Sequence, residues 1–175
     1  MIKRFIITGA PSTGKSSLIN KLSNMGYECF NEVSRSIIKN EKIEKINKDL
    51  NFEMEIFKKR KKQYQLAKEL HFYDRSIVDI LAYLNISKIK PPTQILEFLK
   101  NNKYEQNVFF LKPWKEIYKK DNQRFEEFKH AEIINYNLEI VYKNLNYNLI
   151  EIPKMSIIQR AKYVIKKINS WKILE

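Results

Sequence analysis

Gly9-Ala10-Pro11-Ser12-Thr13-Gly14-Lys15-Ser16 fits the pattern G-x-x-x-x-G-K-[ST] at every specified position. The chemistry of such a segment is that of gripping a phosphate chain. Its glycines let the backbone bend until several N–H groups face one point, and a helix beginning at the last residues adds the positive end of its dipole. In this loop Lys15 reaches the β- and γ-phosphates and Ser16 offers a hydroxyl to Mg²⁺, while Ala10, Pro11, Ser12, Thr13 and the following Ser17 complete the wall. The chain holds only 3 glycines, where average usage would give about a dozen. Two of them lie in this segment.

A metal beside the phosphates needs a second oxygen ligand, and Asp74 is placed to be one, directly after an apolar run where a strand would end. The alternative role for Asp74 is to cap the helix that follows. Arg75 comes next, and a guanidinium beside a carboxylate suits a site that holds a hydroxyl and an anion together. Glu32 and Arg35 form a second acid and base pair just beyond another strand, so Glu32 is a candidate to take a proton from an attacking hydroxyl. Lys119, Lys120 and Arg124 populate a polar segment, 112–124, that reads as a lid over the transferring phosphate. Arg124 stands out because it opens a helix, where the dipole disfavours a cation. Trp114 either stacks on a base or packs at the sheet edge. Cys29, His71 and His130 show no partners that would give them chemistry.

These residues must be carried by strand ends. Short apolar runs at 2–8, 27–30, 70–73, 108–111 and 149–152 read as strands, and helical spacing marks 16–22, 34–39, 52–68, 77–84, 92–99, 125–145 and 156–168. The charged stretch 40–51 reads as a loop or mobile surface element. Alternating strands and helices predict an α/β fold of three layers: a mostly parallel five-stranded sheet with helices on both faces. The carboxyl ends of its strands would converge on one crevice, bringing Glu32 and Asp74 to the phosphate loop.

At 175 residues a single domain spanning 1–175 is expected. No apolar stretch is long enough to cross a membrane, and the amino terminus does not have the form of a cleavable signal, so a cytoplasmic protein is expected. One cysteine and two separated histidines provide no zinc site. The net charge of +13 invites nucleic acid or anionic lipid as partners. However, only 6 of 33 basic residues are arginine, and Lys, Asn and Ile are abundant throughout, as an AT-rich coding bias would produce.

The phosphate loop, Glu32-x-x-Arg35, Asp74-Arg75 followed by Asp79-Ile80-Leu81-Ala82-Tyr83, and Pro113-Trp114 with Tyr118, Asp121 and Arg124 together resemble the NadR/Ttd14-type P-loop domain, a small branch of the P-loop nucleotide kinases. The resemblance implies a P-loop NTPase fold that binds ATP or GTP with Mg²⁺. Asp74-Arg75-Ser76 is also similar to the acid-Arg-Ser element of deoxynucleoside kinases, which implies Glu32 as the base and Arg75 as a substrate or phosphate contact. The leading expectation is therefore ATP-dependent phosphoryl transfer to a small, nucleoside-like hydroxyl. A nucleotide-dependent switch or binding module and a polynucleotide 5′-hydroxyl kinase are the alternatives. A Ras-like switch would need an Asn-Lys-x-Asp element, and Asn47-Lys48-Asp49 has the wrong spacing. An oligomeric ATPase motor would need a further helical lid domain, for which no room remains.

Overall fold

A computed structural model describes residues 2–41, 50–117 and 128–172. Five strands, β1 (Lys3–Gly9), β2 (Glu28–Phe30), β3 (Leu70–Asp74), β4 (Asn107–Leu111) and β5 (Asn148–Glu151), form one sheet in the order β2-β3-β1-β4-β5. Every pairing is parallel. The described helices are α1 (Lys15–Ser23), α2 (Val33–Glu41), α3 (Leu50–Leu66), α4 (Ile77–Ile86), α5 (Thr93–Asn101), α6 (Phe128–Asn144) and α7 (Ile157–Lys172).

The layering follows from side-chain alternation along the strands. Phe5 and Ile7 of β1, Phe72 of β3, and Phe109 and Leu111 of β4 pack with Leu18, Ile19 and Leu22 of α1 and Ala161, Val164 and Ile168 of α7. The intervening Ile6, Tyr73, Val108 and Phe110 join the opposite core with α3, α4, α5 and α6. A central strand must be apolar on both faces to be covered twice, and β1 is buried from Phe5 to Gly9. Among the described residues no helix is long and apolar enough to cross a membrane.

The expected fold class and all five strands are present. Some boundaries differ for local reasons. Helix α2 runs to Glu41 and α3 starts at Leu50, so both ends of the expected 40–51 loop are helical and its middle lies outside the described residues. Pro92 is the extended N-cap of α5, not a residue of its first turn (φ −60°, ψ 141°). After β4, a short 3₁₀ turn spans Lys115–Ile117. Tyr118, Lys119, Lys120, Asp121, Arg124 and the expected start of the helix at 125 lie outside the described residues.

Candidate active site

The sheet register decides which residues meet. Ile7 pairs with Asp74 on one side and Phe109 on the other, and Gly9 pairs with Leu111. The phosphate loop therefore springs from the central strand with Asp74 beside it. Gly9 is required there: its φ is +143°, and a Cβ would lie 2.1 Å from the Leu111 carbonyl oxygen. Ser12 (φ 58°) and Gly14 (φ 87°) also take left-handed backbone, which curls the loop into the start of α1.

Inside this loop Lys15 is buried, and its Nζ donates to the Ala10 carbonyl at 2.6 Å and to Thr13 Oγ1 at 3.3 Å. Thr13 Oγ1 also donates to the Ala10 carbonyl. Burial, helped by the nearby Arg75 charge, lowers the Lys15 pKa to about 7, although Asp74, Glu32 and Asp79 pull the other way. Pro11 is half-buried and Ser17 is exposed on the first turn of α1.

Asp74 is the last residue of β3 and is 1% exposed. It does not cap α4, because Ser76 occupies that position. Ser16 Oγ donates to Asp74 Oδ2 at 2.9 Å, whereas the buried Oδ1 has no hydrogen-bond partner among the described residues. Burial and the charge of Glu32 raise the Asp74 pKa against the pull of Lys15 and Arg75. A serine hydroxyl and an aspartate with one uncommitted oxygen form an all-oxygen donor set of the kind Mg²⁺ prefers, which typically leaves other positions to phosphate and water. The residues present therefore fit the ion. No group of three or more His, Cys, Asp or Glu suited to a metal exists among the described residues.

Arg75 takes left-handed backbone (φ 70°) as the chain turns from β3 into α4, with its N–H donating to the Ile7 carbonyl. Its Nε donates to Glu32 Oε1 at 3.2 Å and its Nη1 to Asp79 Oδ1 at 3.3 Å. The guanidinium carbon lies 5.6 Å from the Tyr83 ring centroid. Burial works against the Arg75 charge, but Tyr83, Glu32, Asp79 and Asp74 outweigh it and raise the pKa further. Ser34 Oγ also donates to Glu32 Oε1, at 2.9 Å. The second acid is thus fixed between a guanidinium and a hydroxyl with a side-chain exposure of 15%. Arg35 lies in α2, but its side chain is outside the described residues, as is all of Arg124.

Asp79 is the junction beneath this group. Its carboxylate accepts from Thr8 Oγ1, Arg75, the Ser76 N–H (2.8 Å) and Tyr142 Oη (2.6 Å). Burial pushes its pKa up, but Arg75, Arg60 and the Thr8 and Tyr142 hydrogen bonds prevail and hold it below the usual carboxylate value. Sequence reasoning gave Asp79 no role of its own, although Ser76-Ile77-Val78-Asp79 has the spacing of a capping box, which the structure contains. Arg60 and Arg160 were missed too. Arg60, 3% exposed on α3, donates through Nη1 to the Asp74 carbonyl at 3.3 Å. Arg160, on α7, donates to the Thr13 carbonyl at 3.0 Å and stands over Trp114, 4.8 Å from the ring centroid. The scarcity of arginine in a lysine-rich chain was the signal for both. Trp114 stacks on this arginine, a partner that sequence reasoning did not consider. Cys29 is held protonated, its pKa pushed up to about 12 by burial and Glu28, and His71 stacks on Phe30 at 5.0 Å.

No curated protein matches this chain by sequence. Among solved structures, deoxyadenosine kinase from M. mycoides with dCMP and dCDP bound superimposes with a TM-score of 0.69 at 18% identity, over 95% of this chain and 98% of that one. Thymidylate kinase from Ehrlichia chaffeensis gives 0.64 at 14% identity, over 95% and 98%. NadR in complex with NR gives 0.65 at 12% identity, over 97% of this chain and 51% of that one. At such identities the likeness establishes a shared fold. A family model described as AAA domain matches residues 4–160, and the chain, with its phosphate loop on the central strand of a parallel sheet, belongs to that family.

Proposed function

We propose that this protein is a phosphotransferase that moves the γ-phosphoryl group of ATP, with GTP as the other candidate donor, to the hydroxyl of a small nucleoside-like acceptor. The observation that carries the reading is Glu32 held by Arg75 at 3.2 Å at the same strand-end edge as Lys15, Ser16 and Asp74. A nucleotide hydrolase needs the phosphate loop, but a glutamate anchored by an arginine beside that loop is suited to activating a hydroxyl. The kinase names of several fold neighbours agree with this reading, and the narrower kinship with the NadR/Ttd14 branch belongs to it.

In this scheme the loop amides and Lys15 bind the β- and γ-phosphates. Asp74 and Ser16 would hold Mg²⁺, which when bound neutralises charge on the phosphates. Glu32 accepts the proton of the acceptor hydroxyl as its oxygen bonds to the γ-phosphorus. The bond to the β-phosphate oxygen breaks and the nucleoside diphosphate leaves. Arg75 orients Glu32, and most of the rate enhancement is positioning and charge stabilisation.

The test is acceptor-dependent ADP release with nucleosides, nicotinamide riboside and 5′-hydroxyl oligonucleotides as acceptors. Turnover that rises with a nucleoside-like acceptor supports the proposal. ATP hydrolysis that no acceptor changes would replace it with a switch.

A further inference from the structure

Arg160 sits where a cation is poorly accommodated. It is 4% exposed, and among the described residues no carboxylate pairs with it. It also lies against the amino end of α1, the positive end of the helix, where the N-cap Gly14 has no side chain to offer. Among the described residues its polar partners are two backbone carbonyls and one aromatic face. Nε donates to the Met155 carbonyl, Nη1 to the Thr13 carbonyl, both at 3.0 Å, and the guanidinium stands over Trp114. A Cβ on Gly14 would come within 3.0 Å of Nη1, so the arginine is seated directly on the loop.

The contact with Thr13 has a geometric consequence. The Thr13 carbonyl and the Gly14 N–H belong to one planar peptide unit, which is trans, so they point in opposite directions. Tethering the carbonyl to α7 turns the Gly14 N–H away from α7. We infer that Arg160 is a positioning residue for triphosphate binding: anchored by Met155 and Trp114, it holds the Thr13–Gly14 peptide so that the Gly14 amide faces the hollow of the loop. Its charge, unfavourable beside a bare helix terminus, becomes favourable when an anion occupies the cradle. Because Arg160 lies 147 residues from Thr13 in sequence, the last helix takes part in forming a site that the motif at the amino terminus only outlines.

This inference rests on the proposed function to the extent that the loop binds a nucleoside triphosphate. The experiment compares wild type, Arg160→Met and Arg160→Lys by calorimetry with Mg·ATP, by steady-state kinetics and by NMR of protein labelled with ¹⁵N-glycine, which has only 3 glycine signals to assign. Arg160→Met should weaken Mg·ATP binding about tenfold or more, the effect of one charge-assisted hydrogen bond. It should also raise KM for ATP far more than it lowers kcat, and move the Gly14 resonance while that of Gly26 stays in place. Arg160→Lys, which keeps a charged donor, should recover part of the affinity. Unchanged affinity with an unmoved Gly14 signal in Arg160→Met overturns the inference while leaving the phosphotransferase reading intact. Displacement of Gly14 and Gly26 together, with a lower unfolding midpoint and no KM effect in Arg160→Lys, assigns Arg160 to stability alone and overturns it too. Wild-type protein that ignores Mg·ATP defeats the parent reading and this one together.

Discussion

Lys15 and Glu32 are the residues whose protonation the proposed chemistry depends on. With its pKa lowered to about 7 by burial and the neighbouring Arg75, Lys15 is largely neutral in the free protein at pH 8. A bound triphosphate favours the ammonium form and raises the pKa. Binding at pH 8 should therefore take up a proton, and affinity should fall as pH rises above about 7. Calorimetry in buffers of different ionisation enthalpy measures the uptake directly, and Lys15→Met should abolish it. No uptake in the wild type would mean that Lys15 is already charged in its buried position. For Glu32, Glu32→Gln should leave the Kd for nucleotide nearly unchanged but cut transfer by about 10²–10⁴-fold, the usual contribution of a general base. Full activity in that variant would remove Glu32 from the mechanism.

At the scale of elements, the turn from β3 into α4 organises the site. Residues 74–79 supply a buried carboxylate at the strand end, a guanidinium in left-handed backbone, a helix cap and the buried acceptor Asp79 within six positions. Replacing Asp79 by Asn preserves shape but removes the charge that faces Arg75, leaving a buried cation less well paired. We expect Asp79→Asn to cost about 3–5 kcal/mol of stability near neutral pH, read by urea unfolding, and to slow transfer through loss of Arg75 orientation. The pH dependence has a definite sign. The folded pKa of Asp79 is below its ordinary 3.8, so its stabilising contribution is complete above about pH 4 and is lost as pH falls through the lower folded value. Asp79→Asn should lack that acid-side decline. A variant as stable as wild type at pH 7 would show that Thr8, Ser76 and Tyr142 hold the turn without the charge.

For the whole molecule, the excess of +13 is the property most open to misreading. The proposed acceptor is a small molecule, and a lysine excess spread along the chain gives only screened, non-specific attraction to polyanions. Fluorescence anisotropy with a 5′-hydroxyl oligonucleotide at about 150 mM salt should give a Kd weaker than about 10 μM, within the non-specific range. Tight binding that persists as salt is raised would instead favour a polynucleotide acceptor.

How much of this was legible in the sequence depends on the range of the interaction. The loop at 9–16, the alternation of strand and helix, and the acids at 32 and 74 are local signals, carried by glycine placement, by periodicity and by where apolar runs stop. They suffice for the fold class and for most of the candidate site. The pairing of Glu32 with Arg75, the gathering of Thr8 and Tyr142 around Asp79, and the contact of Arg160 with Thr13 join residues 43, 71, 63 and 147 positions apart. No periodicity encodes these pairings. They exist because parallel strands must return through helical crossovers, which aligns the strand ends at one edge and sets α7 against the phosphate loop. The sequence by itself determined which backbone bends to meet phosphate. Only the tertiary structure decided which distant charges surround that bend, because burial and long-range approach, rather than residue type alone, set whether a side chain is a solvated cation or part of a site.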